Sequence, residues 1–210
     1  KPEDYSKMLD AAKEYNKRLA KVENPLARFE QVPGYNELLN IGGTGIMGVI
    51  TIGKINVELP IYHGTSDDIL NVAVGHLQGS SLPIGGKDTH AVLTGHRGLP
   101  SARLFTDLDQ LQEGDTFTIT VLDQTVTYTV DQIRIVQPTN IEDLKIVPGE
   151  DYVTLMTCTP YGINTHRLLV RGTRTSNAKI NPMLYVKNDG SLGNPLITAP
   201  SFGLIILLVV

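Results

Sequence analysis

The sequence predicts a mainly β protein, an all-β barrel or sandwich with helical decorations. Three observations carry this. Short stretches of alternating apolar and polar residues recur along the middle of the chain. Turn signals separate them, and helical spacing is confined to brief segments. No strand–helix–strand alternation of the kind that builds a parallel sheet with crossover helices is present. At 210 residues the chain is long enough for one well-packed domain with appendages, and no internal repeat or low-complexity tract interrupts it.

Taken in order, residues 1–22 place Tyr5, Met8, Leu9, Ala12, Tyr15, Leu19 and Val22 on one stripe of an amphipathic helix. From Glu23 to Gly45 the periodicity fails and Pro and Gly punctuate the chain, which suits a functional loop or a plain linker. Met47–Ile55 and Val57–Tyr62 read as two strands hinged near Gly53–Asn56, with Pro60 marking an edge or bulge. Ser66–Leu77 opens with a capping serine and acids and reads as a short helix. His90–His96 is a strand, and Ser101–Leu111 has helical spacing at positions 102, 104, 105, 108 and 111. Asp115–Leu122 and Thr125–Val136 form a hairpin turning at Asp123–Gln124. Ile141–Ile146 reads as a short helix. Tyr152–Cys158 and Arg167–Thr173 are strands flanking a turn that contains Pro160, Gly162 and Asn164.

Composition narrows function by exclusion. The net charge of −4 gives no electrostatic footprint for nucleic acid. One cysteine, Cys158, excludes an internal disulfide and a multi-cysteine zinc site, yet fits either a cytosolic protein or a secreted one. Lys1 opens the sequence with neither an initiating methionine nor a charged-then-apolar leader, so a processed or truncated chain is expected. Phe202–Val210 is an unbroken apolar run after the approach 179–201. Nine residues are fewer than the roughly 20 a bilayer needs. The run suits the start of a membrane segment, or a buried element that completes the core.

Candidate chemistry gathers at Asp151–Arg174. A thiol at a strand end, faced by Arg167 on the next strand, has a cation beside it to stabilise the thiolate and the charge on an attacked carbonyl. A general acid is the missing part, and five histidines are available. His90 and His96 share a face by period two, with His96 at the strand exit, the position that Cys158 has on its own strand. His63 and His76 adjoin glycines near element ends, as surface or turn histidines do, and alternation sends His166 away from Arg167. A Cys158, His96, Arg167 constellation is the sharper reading; an inert buried thiol is the other.

The segments LPIYHGTSDDIL (59–70), GHLQGSSLPIGG (75–86), HAVLTGHRGLPSARLFTDLDQL (90–111) and TLMTCTPYGINTHRLLVRGTR (154–174) resemble the sortases, and among them the pilin-polymerising class C. The resemblance spans Met47 to Thr175. It implies an eight-stranded sortase-type β-barrel over 46–178, with a lid-like loop at 23–45. It implies Cys158 as nucleophile, His96 as general acid and Arg167 as oxyanion and substrate stabiliser, with Thr157 a weaker substrate-binding candidate. No metal or organic cofactor is required. The implied partners are pilin subunits that carry an LPxTG-like sorting signal and an acceptor lysine. The membrane is reached through the C-terminal segment, which would put the catalytic domain on the extracellular face of the cell membrane.

Class C lids resemble one another in an Asp-Pro-aromatic motif. Here Asn24-Pro25-Leu26 stands in its place, lacking both the charge to pair with Arg167 and the ring to stack on the thiol, so Glu23, Phe29, Glu30 or Tyr35 are candidate substitutes. Two other readings compete: a sortase of another class that anchors proteins to peptidoglycan, and a surface β-barrel binding module with an inert thiol. On the enzyme readings, only molecules carrying thiolate and imidazolium together are competent. The transfer rate is therefore expected to be bell-shaped in pH, and a rate flat from pH 5 to 10 would contradict this.

Overall fold

A computed structural model describes residues 5–99 and 102–175. Residues 176–210, with the predicted C-terminal extension and the apolar run 202–210, lie outside the described residues. Eight strands close into a barrel: β1 Ile46–Ile52, β2 Val57–His63, β3 Val74–His76, β4 Thr89–Thr94, β5 Thr116–Val121, β6 Gln124–Val136, β7 Asp151–Thr159 and β8 His166–Arg174. Their order around the barrel is β1-β2-β3-β4-β7-β8-β6-β5, with β5 returning to β1. The β2–β3 and β4–β7 pairs are parallel and the others antiparallel. Closure removes the exposed edges that an open sheet would present.

The alternation read from the sequence becomes two faces. On β7, Val153 and Leu155 enter the barrel core, and so do Ala91 and Leu93 of β4 and Leu168 and Val170 of β8. Residues of opposite parity face outward, where Val92, Leu144 and Leu169 form a second, smaller cluster with Leu26, Leu77, Val136 and Met156 against it. The long β6–β7 connection covers this outer face and brings Leu144 into the cluster. Helix α1, Ser6–Leu19, lays Leu9, Ala12, Tyr15 and Leu19 on the main core. Burial of each large side chain contributes roughly 1.5–3 kcal/mol. Asn16 fixes the helix's register by donating to Leu82 O (3.1 Å) and accepting from Leu82 N (2.7 Å).

Several elements differ from the sequence reading. Helix α2 covers only Asp67–Leu70, and 74–76 of the predicted helix is strand β3. Backbone pairing of Ile61–His63 with Val74–His76 outweighs the helical preference. Ser101–Leu111 forms no helix among its described residues, apart from one 3-10 turn at Leu108–Gln110. Leu104, Phe105, Leu108 and Leu111 are buried one by one: Phe105 N donates to His96 O (3.1 Å), and the Phe105 ring lies where a Cβ on Gly95 would be 2.9 Å away. Leu104 takes φ 36° to allow this. Ile141–Ile146 likewise reduces to a 3-10 turn at Glu142–Leu144. The hairpin turns at Leu122–Asp123, because Val121 pairs with Gln124. Pro60 lies where β2 pairs with β1 alone, before β3 joins at Ile61, while the bulge lies on β1 between Ile46 and Gly48.

His63 and His76 are not surface histidines. His76 is buried, donating from Nε2 to Ser81 O (2.8 Å) and accepting at Nδ1 from the Tyr35 hydroxyl (2.8 Å). His63 is half-buried against Gly45 O (2.9 Å) and Leu38 O (2.7 Å). His90 is also buried, donating from Nδ1 to Lys145 O (2.8 Å) and accepting from Thr154 Oγ1 (2.7 Å). Burial pushes His76 and His90 down to about 4. In the unfolded chain each takes up a proton near pH 6.5, so between pH 6.5 and 4 the unfolded state holds the extra protons. Stability is thus full above pH 6.5 and is lost as pH falls towards 4, by on the order of 3 kcal/mol per histidine. Urea unfolding at pH 5 to 6 is expected to show uptake of about two protons from these groups. An unfolding free energy independent of pH across that window would contradict it.

Candidate active site

Three adjacent strands converge at one end of the barrel. β4 and β7 run parallel in register from Thr89↔Asp151 to Thr94↔Met156. Pairing continues past the end of β4, with Gly95 N donating to Met156 O (3.1 Å) and Thr157 Oγ1 donating to Gly95 O (2.8 Å). His96 and Cys158 therefore each stand two residues beyond the Thr94↔Met156 pair, on neighbouring strand ends. On the other side of β7, Cys158 pairs directly with Arg167. Neighbouring strands lie about 4.8 Å apart, so the thiol sits in the middle strand with the imidazole-bearing residue and the guanidinium-bearing residue to either side.

Parity gives them a common face. Cys158 follows Thr154 and Met156 on the outer face of β7, and Arg167 follows Leu169 and Arg171 on that of β8. His96 follows His90, Val92 and Thr94. Cys158 is a half-buried free thiol, and His96 is half-buried too. Arg167 donates to the carbonyls of Asn164 (3.4 Å) and His166 (3.1 Å). The His166 ring turns the other way, to Gln137 (2.9 Å) and Thr165 (2.9 Å). His90, although on the shared face, is sealed beneath the β6–β7 connection and neutral at physiological pH. Thr157 is buried and its hydroxyl is committed to Gly95, so it braces β7 against β4 rather than offering a peptide contact.

Along the outer face runs a groove of about 260 Å³, lined by Leu26, Leu77, Pro138, Leu144, Met156 and Arg167 among others. Leu26 is the described residue of the 23–45 segment that lines it. Gly79, at φ +92°, makes room for this segment, since a Cβ there would lie 2.7 Å from Pro25 O. Asn24 and Pro25 line a different, larger cleft of about 1360 Å³ beside α1, Thr89 and Asp151, at the opposite end of β4 and β7 from the thiol. The candidate substitutes are placed elsewhere. Glu23 pairs with Arg28 (3.3 Å), not with Arg167. Phe29 and Glu30 belong to a 3-10 turn, half-buried and exposed respectively. Tyr35 is buried on the core side, where its ring meets Tyr15, His63 and His76 and its hydroxyl accepts from Gly64 N (3.0 Å). No cluster of three or more histidine, cysteine or carboxylate side chains suited to a metal occurs among the described residues.

A sequence model of the sortase domain matches residues 50–175, more than half of the chain. The chain belongs to the sortase family. It is similar to the crystal structure of sortase C1 from Streptococcus agalactiae, at 55% identity and a TM-score of 0.76, over 83% of this chain and 91% of that one. A Clostridium perfringens sortase C, solved with the C-terminal cell wall sorting motif, is 47% identical with a TM-score of 0.72, over 84% and 91%. Among curated relatives, sortase A of Streptococcus agalactiae is 30% identical over 54% of this chain and 47% of its own length. Sortase D of Bacillus subtilis is 30% identical over 61% and 64%. The chain thus matches about half to two thirds of the length of these curated relatives. The closed eight-stranded barrel is the sortase fold, with class C sortases as its solved neighbours.

The geometry of Leu26 yields a test. Deleting 23–40 outright would remove Val32, Tyr35 and Leu39 from the core. The substitution Leu26→Ser removes only one apolar side chain from against the Val92, Leu144 and Leu169 cluster. It is expected to lower stability by about 1–2 kcal/mol, the worth of one partly buried leucine side chain. Urea unfolding measures this, and an unchanged midpoint would show that Leu26 does not pack on the outer face.

Proposed function

We propose that the chain is a cysteine transpeptidase that cleaves an LPxTG-like sorting signal between Thr and Gly and transfers the acyl group to a pilin lysine, polymerising pili. The observation that carries this is the strand register that sets Cys158 between His96 and Arg167 on one outward face. The Cys158 thiolate attacks the threonine carbonyl carbon, and the negative charge gathers on its oxygen. The Arg167 guanidinium stabilises that oxyanion, exchanging its bonds to the Asn164 and His166 carbonyls for the substrate. His96 gives its proton to the departing glycine amine, the C–N bond breaks, and a thioester remains on Cys158. A lysine amine then attacks the thioester and returns a proton to His96. The product is an isopeptide bond and a free thiolate.

Supporting the pilin assignment, one similar solved structure is described as the pilus-related sortase C of Group B Streptococcus, 42% identical over 82% of this chain. The sorting-motif substrate follows the Clostridium perfringens structure named above. We assign residues 23–45 the part of a lid whose Leu26 occupies the substrate groove. The apolar run Phe202–Val210 would anchor the enzyme in the cell membrane with the barrel on the extracellular face. Among the described residues, no helix is long and apolar enough to cross a membrane.

Mass spectrometry after incubation with an LPxTG-type peptide is expected to show an acyl adduct on Cys158 that is absent in Cys158→Ala. Adding a shaft pilin should then give covalent ladders, whereas a peptidoglycan-like amine should give little product. No adduct on the unsubstituted chain would refute the reading, and product with the peptidoglycan-like amine alone would reassign the acceptor.

A further inference from the structure

A second arginine joins the two loops that carry the site. Arg97 directly follows His96, and its side chain is only 9% exposed. Its Nη2 donates to the Asp109 carboxylate, and its Nη1 reaches Thr159 Oγ1 (3.5 Å), the residue directly after Cys158. The guanidinium lies 5.8 Å from the centre of the Tyr161 ring, in the β7–β8 loop. Its Nε is buried without a hydrogen-bond partner among the described residues. One cation thus reaches the end of β7 at Thr159, the loop beyond it at Tyr161, and Asp109 in the segment that runs from His96 towards β5.

The surroundings hold this strut in place. Gly98, at φ +78°, packs under Tyr161, where a Cβ would lie 3.0 Å from the ring. Gly98 N donates to Thr106 Oγ1 (3.1 Å), and Phe105 N donates to His96 O (3.1 Å). Asp109 is 48% exposed, so the pair is buried at the arginine end only. Fully exposed pairs contribute little, but truncating the partner of a buried charge is costly, which ties Asp109 to the placement of Arg97. A lysine would keep the charge while losing the planar fork that meets Asp109 and Thr159 together and stacks on Tyr161.

We propose that Arg97 is a positioning residue for acyl transfer, holding the His96 loop against the Cys158 strand and the β7–β8 loop so that imidazole and thiol keep a fixed separation. It does not touch substrate; it acts through His96. This rests on the transpeptidase reading above.

Adduct formation with an LPxTG-type peptide tests it in Arg97→Ala, Arg97→Lys and Asp109→Asn. Displacement of a catalytic group by about 1 Å costs up to about 100-fold, so Arg97→Ala is expected to lower kcat about 10- to 100-fold with KM within about 2-fold. Arg97→Lys should recover less than about a third of the rate, because charge alone does not rebuild the fork. Asp109→Asn should lose about 3- to 10-fold. The deciding measurement is a cycle with His96→Ala. If Arg97 acts through the imidazole, Arg97→Ala costs less than about 2-fold in that background. Alkylation of Cys158 by iodoacetamide should stay within about 2-fold in Arg97→Ala, Arg97→Lys and Asp109→Asn, which reports an intact thiol strand. Parental kcat in Arg97→Ala overturns the proposal, as does an equal loss with and without His96. Should Arg97→Ala not fold, parental rates in both Arg97→Lys and Asp109→Asn overturn it alone. Absence of adduct on the unsubstituted chain overturns the transpeptidase reading and this proposal with it.

Discussion

The site depends on the parallel, in-register pairing of β4 with β7. His96 and Cys158 are neighbours only because six consecutive residue pairs fix those two strands before either catalytic candidate is reached. A slip of one residue would send Cys158 into the barrel and exchange the two faces. Both faces resist such a slip. Ala91, Leu93, Val153 and Leu155 pack inside, while Val92, Leu144 and Leu169 pack outside. The His90–Thr154 hydrogen bond adds a polar contact that only the correct register satisfies. The neutral imidazole that locks the register is also one that acid would charge, which links the geometry of the site to pH through a residue outside the chemistry.

The segment 23–45 is held unevenly, and the asymmetry defines what could move. Val32, Tyr35 and Leu39 belong to the core, and Tyr35 is further tied to His76 and Gly64. Leu26, by contrast, is half-buried against a satellite cluster, and Glu23 and Arg28 share only an exposed ion pair worth little. Local opening draws on the regions with fewest buried contacts, so the groove would be freed by movement of 23–30 while 32–39 stays docked. Leu26 makes an apolar contact only, and Asn24 lines the cleft at the other end of β4 and β7, so among the described residues no charge ties this half to Arg167.

The strands were legible in the sequence because period-two patterning survives wherever one face meets the core. Strand ends at Cys158 and Arg167 followed from the same alternation, as did the opposite facing of His166. What escaped was decided by tertiary contacts that leave no local signature. Leu104, Phe105, Leu108 and Leu111 have helical spacing, yet each is buried by its own contacts, Phe105, Leu108 and Leu111 in the main core. Val74–His76 is too short to show alternation and becomes a strand by pairing with β2. Tyr35 looked like a stand-in for an aromatic over the thiol, but two histidines and Gly64 draw it to the core side. Arg97 carried the one available signal, a cation immediately after the chosen histidine, and its role as a strut appears only once Asp109, Thr159 and Tyr161 surround it.

The arrangement also separates the three arginines near the site by what each already binds. Arg171 lies on the same face of β8, four residues along, but it is bound to both Asp131 oxygens (3.1 and 2.8 Å) and stacked 4.2 Å from the Tyr152 ring centre. Arg97 is spent on Asp109. Arg167 has neutral carbonyl partners and, among the described residues, no carboxylate partner. A guanidinium already neutralised by a carboxylate has little left to offer a second anion, because any new charge must first displace the old one. Arg167 keeps its charge unspent beside the thiol, holding the Asn164 and His166 carbonyls but, among the described residues, no carboxylate.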